Sequence, residues 1–157
     1  MALIELTTLV KGPAEQVFDI CLDVDAHTAS MSRSRERVVG GVTSGRMALG
    51  DTVTWAARHF GVPWRLTSRI SAYDRPHRFV DEQVTGPFQH WHHEHTFTSD
   101  KPAQATIMRD VIDFAAPLGP LGRIVDRLLL ERYMRRLIEN RNTHLARLFA
   151  AESGQGR

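Results

Sequence analysis

A chain of 157 residues with 42% hydrophobic and 24% charged residues has the size and composition of one soluble domain enclosing a single core. A formal charge of +2, one cysteine and no uninterrupted apolar run near the roughly 18 residues a membrane helix needs argue against a disulfide scaffold and a membrane-spanning helix. The opening MALIELTTLVKG has no basic region and no small-residue cleavage site, so no secretory signal is expected and a cytoplasmic, reducing setting fits Cys21.

LIELTTLV (3–10) alternates and is rich in β-branched residues, which predicts a strand. Gly12-Pro13 opens a helix with apolar face Ala14, Val17, Phe18 and Cys21, and a second short helix is expected over 23–30. Cys21 sits among apolar neighbours with no charge to favour its thiolate, which marks a buried side chain rather than a nucleophile. Strand character returns over 35–42. The glycine-rich loop 40–51 lacks the lysine and hydroxyl that end a phosphate-binding loop.

From Thr52 the chain reads as hairpins. TVTWAARH and VPWRLTSRI flank Phe60-Gly61, and a two-residue turn sets Trp55 opposite Leu66 and Ala57 opposite Trp64. One face then carries Val53, Trp55, Ala57, His59, Trp64, Leu66, Ser68 and Ile70, and the other is dominated by arginine and threonine, so the first set faces the interior. Ser68 has no base beside it in the pattern. A loop at 73–78, a strand over 79–84, a Gly86-Pro87 turn, a strand through FQHWHHEHTF, a turn at 99–104 and a strand over 105–114 follow. After PLGPLG, apolar residues including Leu121, Val125, Leu128, Leu129, Met134, Leu137, Ile138, Leu145 and Leu148 recur at helical spacing from about 122 to 149. The expected domain is 1–150, with a disordered tail over 151–157.

This order predicts an α+β fold in which a seven-stranded antiparallel curved sheet wraps a long C-terminal helix, with two short helices after the first strand. PAEQVFDICLDVD, VTWAARHFG, RPHRFVDEQVTGPF, WHHEHTF and MRDVIDFAAPLGPLGRIVDRLLLERYMRRL carry a resemblance over nearly the whole chain. It resembles the START-like, or SRPBCC, superfamily, the helix-grip fold of Bet v 1-type and lipid-transfer proteins, and within it a bacterial polyketide cyclase/dehydrase and lipid-transport-like subgroup. The resemblance implies an internal cavity for a hydrophobic molecule and names no shared catalytic motif.

Alternation along residues 89–97, QHWHHEHTF, puts Trp91, His93, His95 and Phe97 on one face and His90, His92, Glu94 and Thr96 on the other. The aromatic set faces in, and His90 and His92 face solvent. Closing the next hairpin symmetrically about 99–104 sets Asp110 opposite His93, with Met108 opposite His95, while a two-residue shift sets Asp110 opposite His95. A buried carboxylate needs a partner, so a cluster of His93, His95 and Asp110 is expected, and His59 is a candidate to join it. Three chemistries fit: a metal site using both histidines with His59 or Asp110, a general acid–base pair of a histidine and Asp110, or a structural anchor. With two histidines on the face no resident metal is expected, and the anchor is the adopted reading. Of Asp81 and Glu82, alternation allows only one to face in.

The expected function is binding of a hydrophobic or aromatic small molecule, lipid- or polyketide-like, with no cofactor. Trp55, Trp64, Leu66, Trp91 and Met108, with Val125 and Leu129 of the helix, form the expected walls. His59, His93, His95 and Asp110 form the polar anchor. The alternatives are a cyclase or dehydratase using a histidine and Asp110, and a membrane-surface lipid handler using the seven arginines between 119 and 149, Arg141 among them. Those arginines are read as a solvated helix face; no nucleic-acid partner and no integral membrane association are expected.

Overall fold

A computed structural model of the chain describes residues 1–116 and 129–154. Strand β1 (Ala2–Val10) leads into α1 (Ala14–Cys21) and α2 (Val24–Ser30). Pro13 is the N-cap of α1, and the Asp23 carboxylate caps α2 by accepting from Ala26 N at 2.8 Å. Strands β2 (Arg37–Gly41), β3 (Thr52–His59), β4 (Val62–Asp74), β5 (Arg78–Thr85), β6 (His90–Asp100) and β7 (Ala105–Ala115) follow. The last helix, α3, runs from Glu131 to Gly154.

The seven strands form one antiparallel sheet in the order β1-β7-β6-β5-β4-β3-β2. This is the helix-grip arrangement that the sequence implied. Register shifts in the β2–β3 pair and at two places in the β4–β5 pair bend the sheet, since an extra residue on one strand increases local twist. The β3–β4 turn has positive φ at both Phe60 (53°) and Gly61 (74°), which matches the twist of the flanking strands. Trp55 pairs with Leu66 and Ala57 with Trp64, as the two-residue turn requires.

Two apolar clusters lie between sheet and helices. One gathers Val17, Phe18, Phe79, Phe97 and Met108 around the first helices, with Phe149 of α3. The other packs Ile4, Phe88, Trp91, Ile112 and Phe114 against Met134 and Ile138 of α3. At the far end of α3, a Cβ on Gly12 would stand 2.5 Å from the Phe149 ring, so only glycine allows that approach.

One open alternative is decided here and three expectations are corrected. The β6–β7 register is the shifted one: Asp110 pairs with His95, Ile112 with His93 and Met108 with Phe97, because the connecting loop is Lys101 to Gln104 rather than six residues. Gln104 takes a left-handed φ of 47°, which closes the shorter loop. Helix α3 continues through Gly154 instead of fraying at 151. Leu129, expected in the wall, is 59% exposed, and Arg141, expected on a solvated face, is 5% exposed. Val125 and the predicted start of the helix near 122 lie outside the described residues.

Candidate functional site

A cavity of about 130 Å³ lies between the concave sheet and α3. All eight residues assigned to the inner face of β3 and β4, from Val53 to Ile70, line it. Trp55, Trp64 and Trp91 form broad walls, and Met134, Leu137, Ile138 and Arg141 close it from α3. Met108 does not reach it. That side chain is fully buried in the first cluster, where Cys21 Sγ donates to its sulfur at 3.6 Å. Burial pushes the Cys21 thiol up to about 12, so it is inert as a nucleophile.

One end of the cavity is polar. His93 and His95 lie on the inner face of β6 with ring centroids 3.7 Å apart, 3% and 2% exposed. Behind them Asp110 of β7 is completely buried. His93 Nε2 is hydrogen bonded to Asp110 Oδ1 at 2.9 Å. His95 Nδ1 lies 2.9 Å from the same oxygen but off the line of a hydrogen bond, and has no hydrogen-bond partner among the described residues. Asn142 of α3 donates to Asp110 Oδ2 at 2.7 Å, and Arg141 Nη2 stands 3.6 Å from Oδ1.

Asp81 of β5 completes the group. Its backbone pairs with His93, so its side chain shares the inner face, while Glu82 turns out toward His92. Asp81 Oδ2 lies 3.2 Å from His95 Nε2 and 3.5 Å from His93 Nδ1. Its Oδ1 accepts from Trp91 Nε1 at 3.2 Å. The ligand-type atoms of Asp81, His93 and His95 all lie within 4.8 Å of one another. The expectation of no metal rested on only two such residues sharing a face, and Asp81 supplies a third.

The electrostatics follow from burial and proximity. Burial, with His95 alongside, brings the His93 imidazole down to about 4 against the pull of both carboxylates. Burial opposes ionisation of Asp81, but the hydrogen bond to His95 and the adjacent His93 ring outweigh it and bring the carboxyl down to about 2. Burial likewise opposes ionisation of Asp110, yet Arg141 and the two imidazoles hold it well below the ordinary carboxylate value. The site thus gathers a buried carboxylate and guanidinium, Asp110 and Arg141, with the half-buried carboxylate of Asp81.

His59 is buried on the cavity wall, but its polar partner is elsewhere. Its Nδ1 is 2.7 Å from the Tyr133 hydroxyl, and its ring packs edge-on against Trp64. Burial lowers the His59 imidazole and raises the Tyr133 phenol from their ordinary values. At another part of the lining the His27 ring lies tilted against Trp55, centroids 4.3 Å apart, and is hydrogen bonded to Glu36 at 2.7 Å. Sequence reasoning missed His27, Glu36, Tyr133, Arg141 and Asn142. For Arg141 a signal existed: it lies at helical spacing between Ile138 and Leu145, on the apolar stripe itself.

Comparison with known proteins agrees with the architecture. Residues 1–150 match the family model described as polyketide cyclase / dehydrase and lipid transport. No curated protein matches the chain. Among solved structures, TTHA0849 from Thermus thermophilus is similar with a TM-score of 0.77 at 16% identity, over 97% of this chain and 99% of that one. The ZhuI aromatase/cyclase from Streptomyces sp. R1128 is similar with a TM-score of 0.72 at 19% identity, over 92% and 91%. A START superfamily protein from Mycobacterium smegmatis gives 0.68 at 15% identity, over 93% and 98%. At these identities the likeness is one of fold.

Proposed function

The chain belongs to the polyketide cyclase/dehydrase and lipid transport family, and from that premise we propose that it binds a small, largely apolar or aromatic molecule carrying an oxygen function. The observation that carries this reading is the asymmetry of the cavity: tryptophans and aliphatic side chains along its walls, with His59 and His27 tied to Tyr133 and Glu36, and His93, His95, Asp81 and Arg141 gathered at one end. A pocket that is mostly apolar with a few convergent polar groups orients a ligand by its polar head. A volume of about 130 Å³ is close to the ~150 Å³ of an engineered apolar cavity that holds benzene, so one aromatic ring is the natural unit of fit.

Phenol is a suitable probe. Its ring would lie against the tryptophans with its hydroxyl toward the histidines. Saturable change of tryptophan fluorescence by phenol, weakened by Trp64→Ala, supports the reading, as does a co-purifying small molecule in native mass spectrometry. No saturable response to phenol and no retained molecule overturns it.

A second reading, catalysis of cyclisation or dehydration, is favoured by the His93–Asp110 pair at 2.9 Å. A neutral imidazole oriented by a buried carboxylate has the arrangement of a general base, with burial weakening its pull on a proton. Turnover of a poly-β-ketone substrate, lost in His93→Gln, distinguishes this reading from binding alone. The exposed-arginine route to a membrane surface is weakened because Arg141 is turned into the cavity, although Arg132, Arg136 and Arg147 remain exposed. No helix of the described residues is long and apolar enough to cross a membrane.

A further inference from the structure

The geometry points to a binding site for a divalent transition-metal ion, held by His93 Nδ1, His95 Nε2 and Asp81 Oδ2 at the polar end of the cavity. Two imidazoles and one carboxylate form a three-ligand set that leaves further positions open, suited to zinc or ferrous ions rather than to calcium or magnesium.

The distances favour this. Bonds of about 2.0–2.1 Å to a tetrahedral ion set neighbouring ligand atoms about 3.3 Å apart. Asp81 Oδ2 lies 3.2 Å from His95 Nε2 and 3.5 Å from His93 Nδ1. An ion equidistant from the three atoms, which all lie within 4.8 Å of one another, faces the cavity, because all three residues line it.

The outer partners are those a metal site requires. Metal-bound histidines direct their second nitrogen to a carboxylate or carbonyl, and ligating carboxylates are themselves hydrogen bonded. Here His93 Nε2 and His95 Nδ1 both lie 2.9 Å from Asp110 Oδ1. The spare oxygen of Asp81 is held by Trp91 Nε1 at 3.2 Å. Asp110 is in turn fixed by Asn142 at 2.7 Å. A metal on His95 Nε2 also resolves an oddity of the cluster: it fixes the ring proton on Nδ1, next to Asp110, the one buried ring nitrogen that lacks a hydrogen-bond partner among the described residues.

Charge then constrains what completes the coordination. Ligation requires neutral imidazoles. Asp81 and Asp110 against Arg141 leave one net negative charge, and a divalent ion turns this into one net positive charge. Buried charge needs a partner. Arg141 Nη2 has no hydrogen-bond partner among the described residues and Arg141 lines the same cavity. The open coordination position therefore favours an anionic oxygen, such as a phenolate, enolate or carboxylate. This last step rests on the ligand-binding reading above; the metal site does not.

The test uses the full chain, stripped with a chelator and dialysed. Zn²⁺ titrated by calorimetry should bind with one equivalent per chain, and Co²⁺ should give the visible bands of a low-coordinate site. His93→Ala and Asp81→Asn should abolish both signals. Asp110→Asn, which keeps every ligand atom, should weaken the affinity about 10–100-fold. The outer-face double variant His90→Ala/His92→Ala should bind like the parent. Circular dichroism of each variant establishes that it folds, and a Zn²⁺-dependent rise in the parent's unfolding midpoint, absent in Asp81→Asn, gives a second readout. The proposal is overturned if Zn²⁺ and Co²⁺ do not bind saturably, if binding survives both His93→Ala and Asp81→Asn, or if it is lost in the outer-face variant. Because no organic ligand enters this titration, its failure leaves the phenol experiment standing, and failure with phenol leaves the metal result standing.

Discussion

Strand β6 carries four histidines that fall into two environments. His90 and His92 lie on the outer face, 47% and 34% exposed, with Asp113 at 3.4 Å and Glu82 at 3.7 Å. His93 and His95 lie on the inner face, enclosed by Asp81, Asp110 and the rings around them. Every outer imidazole has an acidic neighbour, just as the inner ones do. What separates the pairs is water. Exposed ion pairs are screened and contribute little, whereas buried ones are expensive to break because a charge is left stranded.

The largest effect that comparison predicts is at Asp110. Asp110→Ala should destabilise the fold by about 3–5 kcal/mol, since it strands the buried guanidinium of Arg141 and removes the acceptor of His93 Nε2. Its outer counterpart, Asp113→Ala, should change stability by no more than about 0.5 kcal/mol. Urea unfolding of the two variants makes the contrast directly. Equal losses would mean that the faces do not differ as described.

The next effect is on pH dependence. In metal-free protein His93 titrates near 4 in the folded state and near 6.5 when unfolded, so below 6.5 the unfolded chain binds the extra proton. The stability that the neutral His93 contributes is full above pH 6.5 and is lost as pH falls through 4, amounting to roughly 3 kcal/mol. Asp81, with a folded value of about 2 against 3.8, adds a further loss below pH 4 as its carboxylate protonates. The His93 ring is faced by Asp81, His95 and Asp110, and Asp110 in turn by Arg141. Unfolding curves at a series of pH values should show this slope in the parent and in His90→Ala/His92→Ala, but a flatter one in His93→Gln.

A smaller effect separates His59 from the cluster. Tyr133→Phe removes the 2.7 Å contact to His59 and leaves a buried ring nitrogen unsatisfied, a cost of about 1–3 kcal/mol. It should leave the NMR signals of His93 and His95 in place. The smallest effect is the double substitution His90→Ala/His92→Ala, expected within about 0.5 kcal/mol of the parent.

The sequence exposed the sheet more readily than the site. Alternation alone separated the faces of β3, β4 and β6, because a period of two leaves no ambiguity once one face is aromatic. The β3–β4 register was equally legible, because a two-residue turn at Phe60-Gly61 separates the apolar and arginine-threonine faces cleanly. The β6–β7 register was not, since SDKPAQ has no such signal and the left-handed Gln104 shortens the loop. Asp81 was hidden because its orientation depends on β5, whose pairing with β4 slips between Ile70 and Ala72. Arg141 was hidden by its chemistry: an arginine on an amphipathic helix reads as solvent-facing until a buried carboxylate is known to lie beneath it.

The most direct test of the inner and outer distinction is to follow the imidazole NMR signals of all four β6 histidines during titration with phenol. Saturable shifts at His93 and His95, together with the Trp64 indole, and none at His90 or His92, are the predicted result. Shifts at His90 or His92 with His93 and His95 unmoved, or no shift at any of the four, would contradict the account.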